Sequence, residues 1–210
     1  MNFEAKYVIR WGIPGWVLIF WLLYGVVFIK GINPLDSGLI DITKGATLLI
    51  SLAAIGVPIG YLMHQIYFGI LWSLNKKRKY EDMISEIGEN FPKGSNWGED
   101  NIKNYFQLEY VWHSFLLSKV KESREYIEGR YRHMLGTIHG LGTLLVCSAL
   151  SAIGFTIISI GTSIDLITNP FFWIGLTFQL AIFLSAVVNY NYFSHNLRAF
   201  QTKMLKEYFK

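Results

Sequence analysis

Four stretches of this chain contain no Asp, Glu, Lys or Arg: Trp11 to Ile29, Gly45 to Asn75, His133 to Ile164 and Leu166 to Leu197. A helix needs about 18–20 apolar residues to cross ~30 Å of hydrocarbon, and each stretch meets that length. A buried core helix has no reason to be both so long and so free of charge. The composition agrees, with 52% hydrophobic and 16% charged residues and a mean hydropathy of +0.31. The sequence predicts an all-α integral membrane protein with four transmembrane helices, at about 11–29, 46–74, 134–163 and 170–196. The first stretch is too long for the apolar region of a signal peptide and lacks a small-x-small cleavage site. It is therefore expected to remain as the first span.

Orientation follows from Lys and Arg near the span ends. Lys6 and Arg10 precede the first span, Lys76, Lys77, Arg78 and Lys79 follow the second, Arg130 and Arg132 precede the third, and Arg198, Lys203 and Lys206 follow the fourth. The other side carries only Lys30 and Lys44, offset by Asp36, Asp41 and Asp165. Both termini are thus expected in the cytoplasm, with the chain in the plasma membrane. Residues 1–75 hold the first two spans, 76–132 a cytoplasmic segment, and 133–210 the last two spans with a short cytoplasmic C-terminal helix. The net charge of +4 gathers at membrane exits and so points to anionic lipid rather than nucleic acid. Lys76, Lys77, Arg78 and Lys79 are a topology anchor first and a contact for an acidic partner second.

The cytoplasmic segment reads as a helical hairpin made of extensions of the second and third spans. Tyr80, Met83, Ile84 and Ile87 recur at helical spacing, and Phe91-Pro92-Lys93-Gly94-Ser95 breaks the pattern. Asn96-x-x-Glu99 resembles a capping box. A second apolar stripe comprises Ile102, Tyr105, Phe106, Trp112, Leu116, Val120 and Ile127, with Gly129 the weak point before the third span. Glu109 and His113, one turn apart on or beside that stripe, read as a local pair or as a pH-sensitive partner contact.

Within the spans, helices approach closely where residues are small. Ala53, Gly56 and Gly60 form one such stripe, and Gly136, Gly140, Thr143 and Gly154 another. These predict that the second and third spans form the central pair or meet neighbouring subunits, with the first span, rich in Trp, more peripheral. Pro58 is expected to kink the second span. Arg10, His64, His139, Asn189 and Asn191 fall at one depth near the cytoplasmic leaflet. This polar layer reads as interhelical hydrogen bonding, as the lining of a pore vestibule, or, through His64 and His139, as a pair of axial haem ligands. The lone cysteine, Cys147, reads as a packing residue.

No phosphate-binding glycine loop, nucleophile elbow, zinc-protease motif or intramembrane acid is present in the sequence. The expected function is non-enzymatic, with no cofactor on the leading reading: a homo-oligomeric, channel-like or membrane-effector component controlled through its cytoplasmic helices. A haem-binding redox protein and an adaptor that anchors a soluble cytoplasmic partner are the alternatives. The layout resembles that of small prokaryotic four-helix membrane components, including some in antiviral defence systems, and that resemblance is one of architecture.

Overall fold

A computed structural model describes residues 5–29, 42–75, 80–95, 97–161 and 168–210. The described residues form helices and connecting turns, with no strand among them. In chain order the helices are α1 (Ala5–Tyr24), continued by a π-helical turn (Gly25–Ile29), α2 (Ile42–Asn75), α3 (Glu81–Ile87), α4 (Asn101–Leu117), α5 (Lys121–Ile160) and α6 (Pro170–Tyr208). Four helices are long and apolar enough to cross a membrane, over Arg10–Ile29, Ile50–Leu71, Lys121–Ile160 and Pro170–Tyr208. Two compact units arise from these helices. The first comprises residues 1–67 and 139–189, and the second residues 68–138 and 190–210.

In the first unit, α1 and α2 meet backbone to backbone. A Cβ on Gly60 would fall on the carbonyl oxygen of Trp11, and one on Gly15 would fall on the carbonyl of Gly56. A Cβ on Gly56 would overlap the indole of Trp16. Glycine is therefore required at all three positions for steric reasons. The α2 glycines thus serve α1 rather than α5, so the expectation of a peripheral first span is overturned. Trp21 and Ile29 on α1 are buried, and Gly154 of α5 receives the side chain of Leu22. Gly175 of α6 lies against the Tyr24 ring, and the Tyr24 hydroxyl donates to the carbonyl of Phe171 at 2.7 Å. The first span touches each of the other three because Trp16, Leu22 and Tyr24 fill the notches left by Gly56, Gly154 and Gly175. Pro58 lies inside α2, which continues through it.

The second unit has a core of its own. Met83, Ile84 and Ile87 of α3 are buried, as their spacing predicts. They pack with Leu108, Val111, Trp112, Phe115 and Leu116 of α4, Ile127, Tyr131 and Met134 of α5, and Leu197 and Leu205 of α6. Trp112 is fully buried among Phe115, Tyr131 and Phe200, at ring separations of 5.2, 5.2 and 6.0 Å.

Several sequence expectations move here. Helix α3 ends at Ile87 because Gly88 takes φ +123°, earlier than the Pro92 break. The cap of α4 is Asp100, whose carboxylate accepts from the Ile102 amide at 2.8 Å, and not the Asn96 box. Asn96 itself lies outside the described residues, as do Lys76, Lys77, Arg78 and Lys79, so the continuity of α2 with α3 does too. The break before α5 comes at Ser118–Val120, while Gly129 sits inside an unbroken helix. The C-terminal segment is the end of α6, not a separate short helix. The inward face of α4 is Asn104, Leu108, Val111, Trp112, Phe115 and Leu116, whereas Phe106 and Val120 are exposed.

Gly60→Ala should lower stability by about 1–3 kcal/mol, because the Trp11 backbone cannot yield to the new methyl group. Gly69→Ala, where nothing lies within 4 Å, should be neutral or stabilising by up to about 1 kcal/mol. Unfolding in detergent or lipid compares the two.

Candidate functional site

The predicted polar layer is realised in part, within the first unit. His64 of α2 and Thr143 of α5 are buried, and His64 Nδ1 lies 2.8 Å from Thr143 Oγ1. The Thr143 hydroxyl donates its proton to the His139 carbonyl at 2.8 Å. It is thus left as an acceptor, so His64 donates through Nδ1–H and carries its lone pair on Nε2. His139 Nδ1 lies 3.4 Å from the hydroxyl of Tyr67, one turn along α2 from His64. The imidazole centroids are 6.1 Å apart and nearly perpendicular. Trp11 flanks His64 at 6.4 Å, and the Arg10 side chain lies 3.8 Å from the Cβ position of Gly140. Gly142 makes this convergence possible, since a Cβ there would overlap the Tyr67 ring.

Asn189 is exposed and bonds its own helix, donating to the Ser185 carbonyl at 2.8 Å. Asn191 is exposed and belongs to the second unit. Gly136 is half-buried and belongs to the second unit. The side chain of Ala53 lies outside the described residues. Tyr67, which completes the cluster, was not singled out in the sequence. Its position three residues after His64, on the same helical face, was the available signal.

The geometry does not suit a haem between His64 and His139. Tyr67 lies 6.1 Å from one imidazole and 5.8 Å from the other, so its ring straddles the plane midway between them. The triangle those distances make with the 6.1 Å imidazole separation puts it about 5 Å from the midpoint, within the footprint of a tetrapyrrole. Among the described residues no three His, Cys, Asp or Glu side chains gather into a metal-binding group.

The second polar site is Glu109 on α4. The predicted pairing with His113 runs through the backbone, His113 Nδ1–H donating to the Glu109 carbonyl at 2.7 Å. The carboxylate instead accepts from the Tyr131 hydroxyl, with oxygens at 3.0 and 3.2 Å. Burial holds the Glu109 carboxyl above its ordinary value of 4.5, opposed by hydrogen bonds from Tyr131 and Gln201 and by the charge of His113. Burial and the adjacent carboxylate push the Tyr131 phenol up as well. Neither Tyr131 nor Gln201 stood out in the sequence, because their roles depend on α5 and α6 reaching α4.

No protein-family model matches this chain, and neither a curated protein nor a solved structure does.

Two outcomes follow from these contacts. Thr143→Val should cost about 1–2 kcal/mol by stranding the His64 donor, and less when combined with His64→Phe. A double-mutant cycle should give a coupling of about 0.6–1.7 kcal/mol. For Glu109, the folded state holds its proton more tightly than the unfolded chain. Its contribution to stability is therefore full below pH 4.5 and lost as pH rises through the raised folded value. Glu109→Gln keeps an acceptor for Tyr131, so it should raise the unfolding midpoint at neutral pH and leave it unchanged at pH 4.

Proposed function

We propose that this chain is a multi-pass plasma-membrane protein that acts, without catalysis, as a homo-oligomeric effector controlled through a cytoplasmic helical unit. The observation that carries this reading is apolar exposure. Only 17–33% of each apolar window is buried within the chain, and α6, the barest, leaves Trp173, Ile174, Phe178, Leu184 and Val188 open. Water does not tolerate that area, whereas lipid and neighbouring copies do. The positive charge at the span ends supports cytoplasmic termini.

Control through the second unit is supported by helix continuity. Helices α5 and α6 each contribute residues to both units, α5 with Tyr131 in the second and Thr143 in the first. A single copy fills its own interior with Trp21, Phe155 and the His64–Thr143 contact. A permeation path therefore requires several copies around an axis, and the effector output is a pore between subunits or a change in their packing.

Light scattering on the detergent-solubilised chain should return a discrete multiple of 24.2 kDa. Purified protein in liposomes should release a trapped small dye, and a monomer that leaves vesicles intact would overturn the reading. Resistance to alkaline extraction from membranes checks the spanning helices separately.

A further inference from the structure

Deep in the first unit, two buried polar side chains have no partner within the chain. Gln179 of α6 is 4% exposed, and neither its Oε1 nor its Nε2 finds a hydrogen-bond partner among the described residues. Ser148 of α5 is also 4% exposed, and its Oγ is likewise unpartnered among them. Ser148 stands at the middle of the charge-free stretch 133–164, and Gln179 close to the middle of 166–197. An amide or hydroxyl left unbonded at that depth bears its full desolvation cost, because hydrocarbon supplies no hydrogen bond.

Contacts on either side bring the two residues to one level. Toward one end, the Phe155 and Phe172 rings stack at 5.6 Å, and a Cβ on Gly175 would lie 3.2 Å from the Phe155 ring. Toward the other, Leu141 and Leu144 line one groove with Ile182 and Ala186. Helices α5 and α6 thus run antiparallel past each other, and Gln179, one turn beyond Gly175, falls level with Ser148 and Ser151. Gln179 shares a face of α6 with Gly175 and the buried Ala186, which is the face turned into the bundle. Ser151, also buried, donates to the Ser148 carbonyl at 2.9 Å, which leaves the Ser148 hydroxyl proton to seek another acceptor.

We infer that Gln179 and Ser148 hold an internal water molecule between α5 and α6, near the centre of the membrane. A buried water makes about three hydrogen bonds, and Oε1 and Nε2 of Gln179 with Oγ of Ser148 are three groups in need of one. Neither side chain bonds the other directly, which is the geometry a bridging molecule requires. The ligand is neutral, because the stretches 11–29, 45–75, 133–164 and 166–197 supply no counter-charge for an ion. Water also both donates and accepts, as an amide and a hydroxyl together demand. Toward Phe155 the stacked rings close the site, while the buried face of α5 continues polar in the other direction, to Thr143 and its contact with His64. The inference goes beyond the proposed function and holds for one copy or several.

The test is cross-relaxation between water and the Gln179 side-chain amide, measured by NMR on the isotope-labelled full chain in nanodiscs of deuterated lipid. Through-bond correlation to its own backbone assigns that amide without a variant. The amide protons should show a cross-peak at the water frequency, with the sign of a long-lived complex. Cross-peaks to Ser148 or to neighbouring apolar side chains with none to water would mean a dry contact and overturn the site. A water peak of the opposite sign, from rapidly exchanging solvent, would replace a held molecule with an open aqueous path. Ser148→Ala removes one anchor and should weaken the water peak by roughly twofold or more. An unchanged peak in that variant would overturn the bridge to Ser148.

Discussion

The contact between the Trp11 carbonyl and Gly60 is the constraint on which the first unit depends. Two helix backbones approach that closely only where a side chain is missing, and Gly15, Gly56 and Gly60 supply the gaps from both sides. In hydrocarbon, burying apolar surface distinguishes poorly between a lipid tail and a neighbouring helix. Dispersion across a tight crossing is what separates the folded pair from two dispersed helices. With α1 held there, Leu22 reaches α5 at Gly154 and Tyr24 reaches Phe155 of α5 and Gly175 of α6, so a helix that reads as peripheral becomes the common neighbour.

The polar cluster exists because of the same close packing. Gly142 lets the Tyr67 ring lie against α5, and that places the Tyr67 hydroxyl at His139 and the His64 imidazole at Thr143. Each of these bonds crosses between helices and removes a polar group from lipid. They tie the register of α2 to that of α5. A single methyl at residue 142 would push the ring away and undo both contacts.

Outside the apolar spans, the buried Trp112 plays the corresponding part. It gathers α4, α5 and α6 around one indole, and its neighbour Tyr131 binds the Glu109 carboxylate. A carboxylate held in such a site is under tension between burial and hydrogen bonding, so its protonation is linked to the packing of three helices. On the opposite face of α4, Tyr110 and Leu117 are exposed.

The number and approximate limits of the long apolar helices were legible in the sequence, because exclusion of charge over a membrane's thickness is a local property. So was the buried face of α3, where three apolar residues recur at helical spacing. The α4 stripe was legible only as a mixture: Trp112 and Leu116 turn inward, while Phe106 and Val120 turn outward. Apolar periodicity does not say which of two hydrophobic faces a neighbour will claim. Likewise, the G-x-x-x-G of Gly56 and Gly60 announced close packing but not its partner, since α1 and α5 both offer small residues. His64 and His139 were visible as costly residues. Their use with Thr143 and Tyr67 was decided by how α2 and α5 pack. Sequence alone settled what hydrocarbon admits and where charge must stop. Tertiary structure alone decided which glycine faces which carbonyl, because that depends on contacts between residues far apart in the chain.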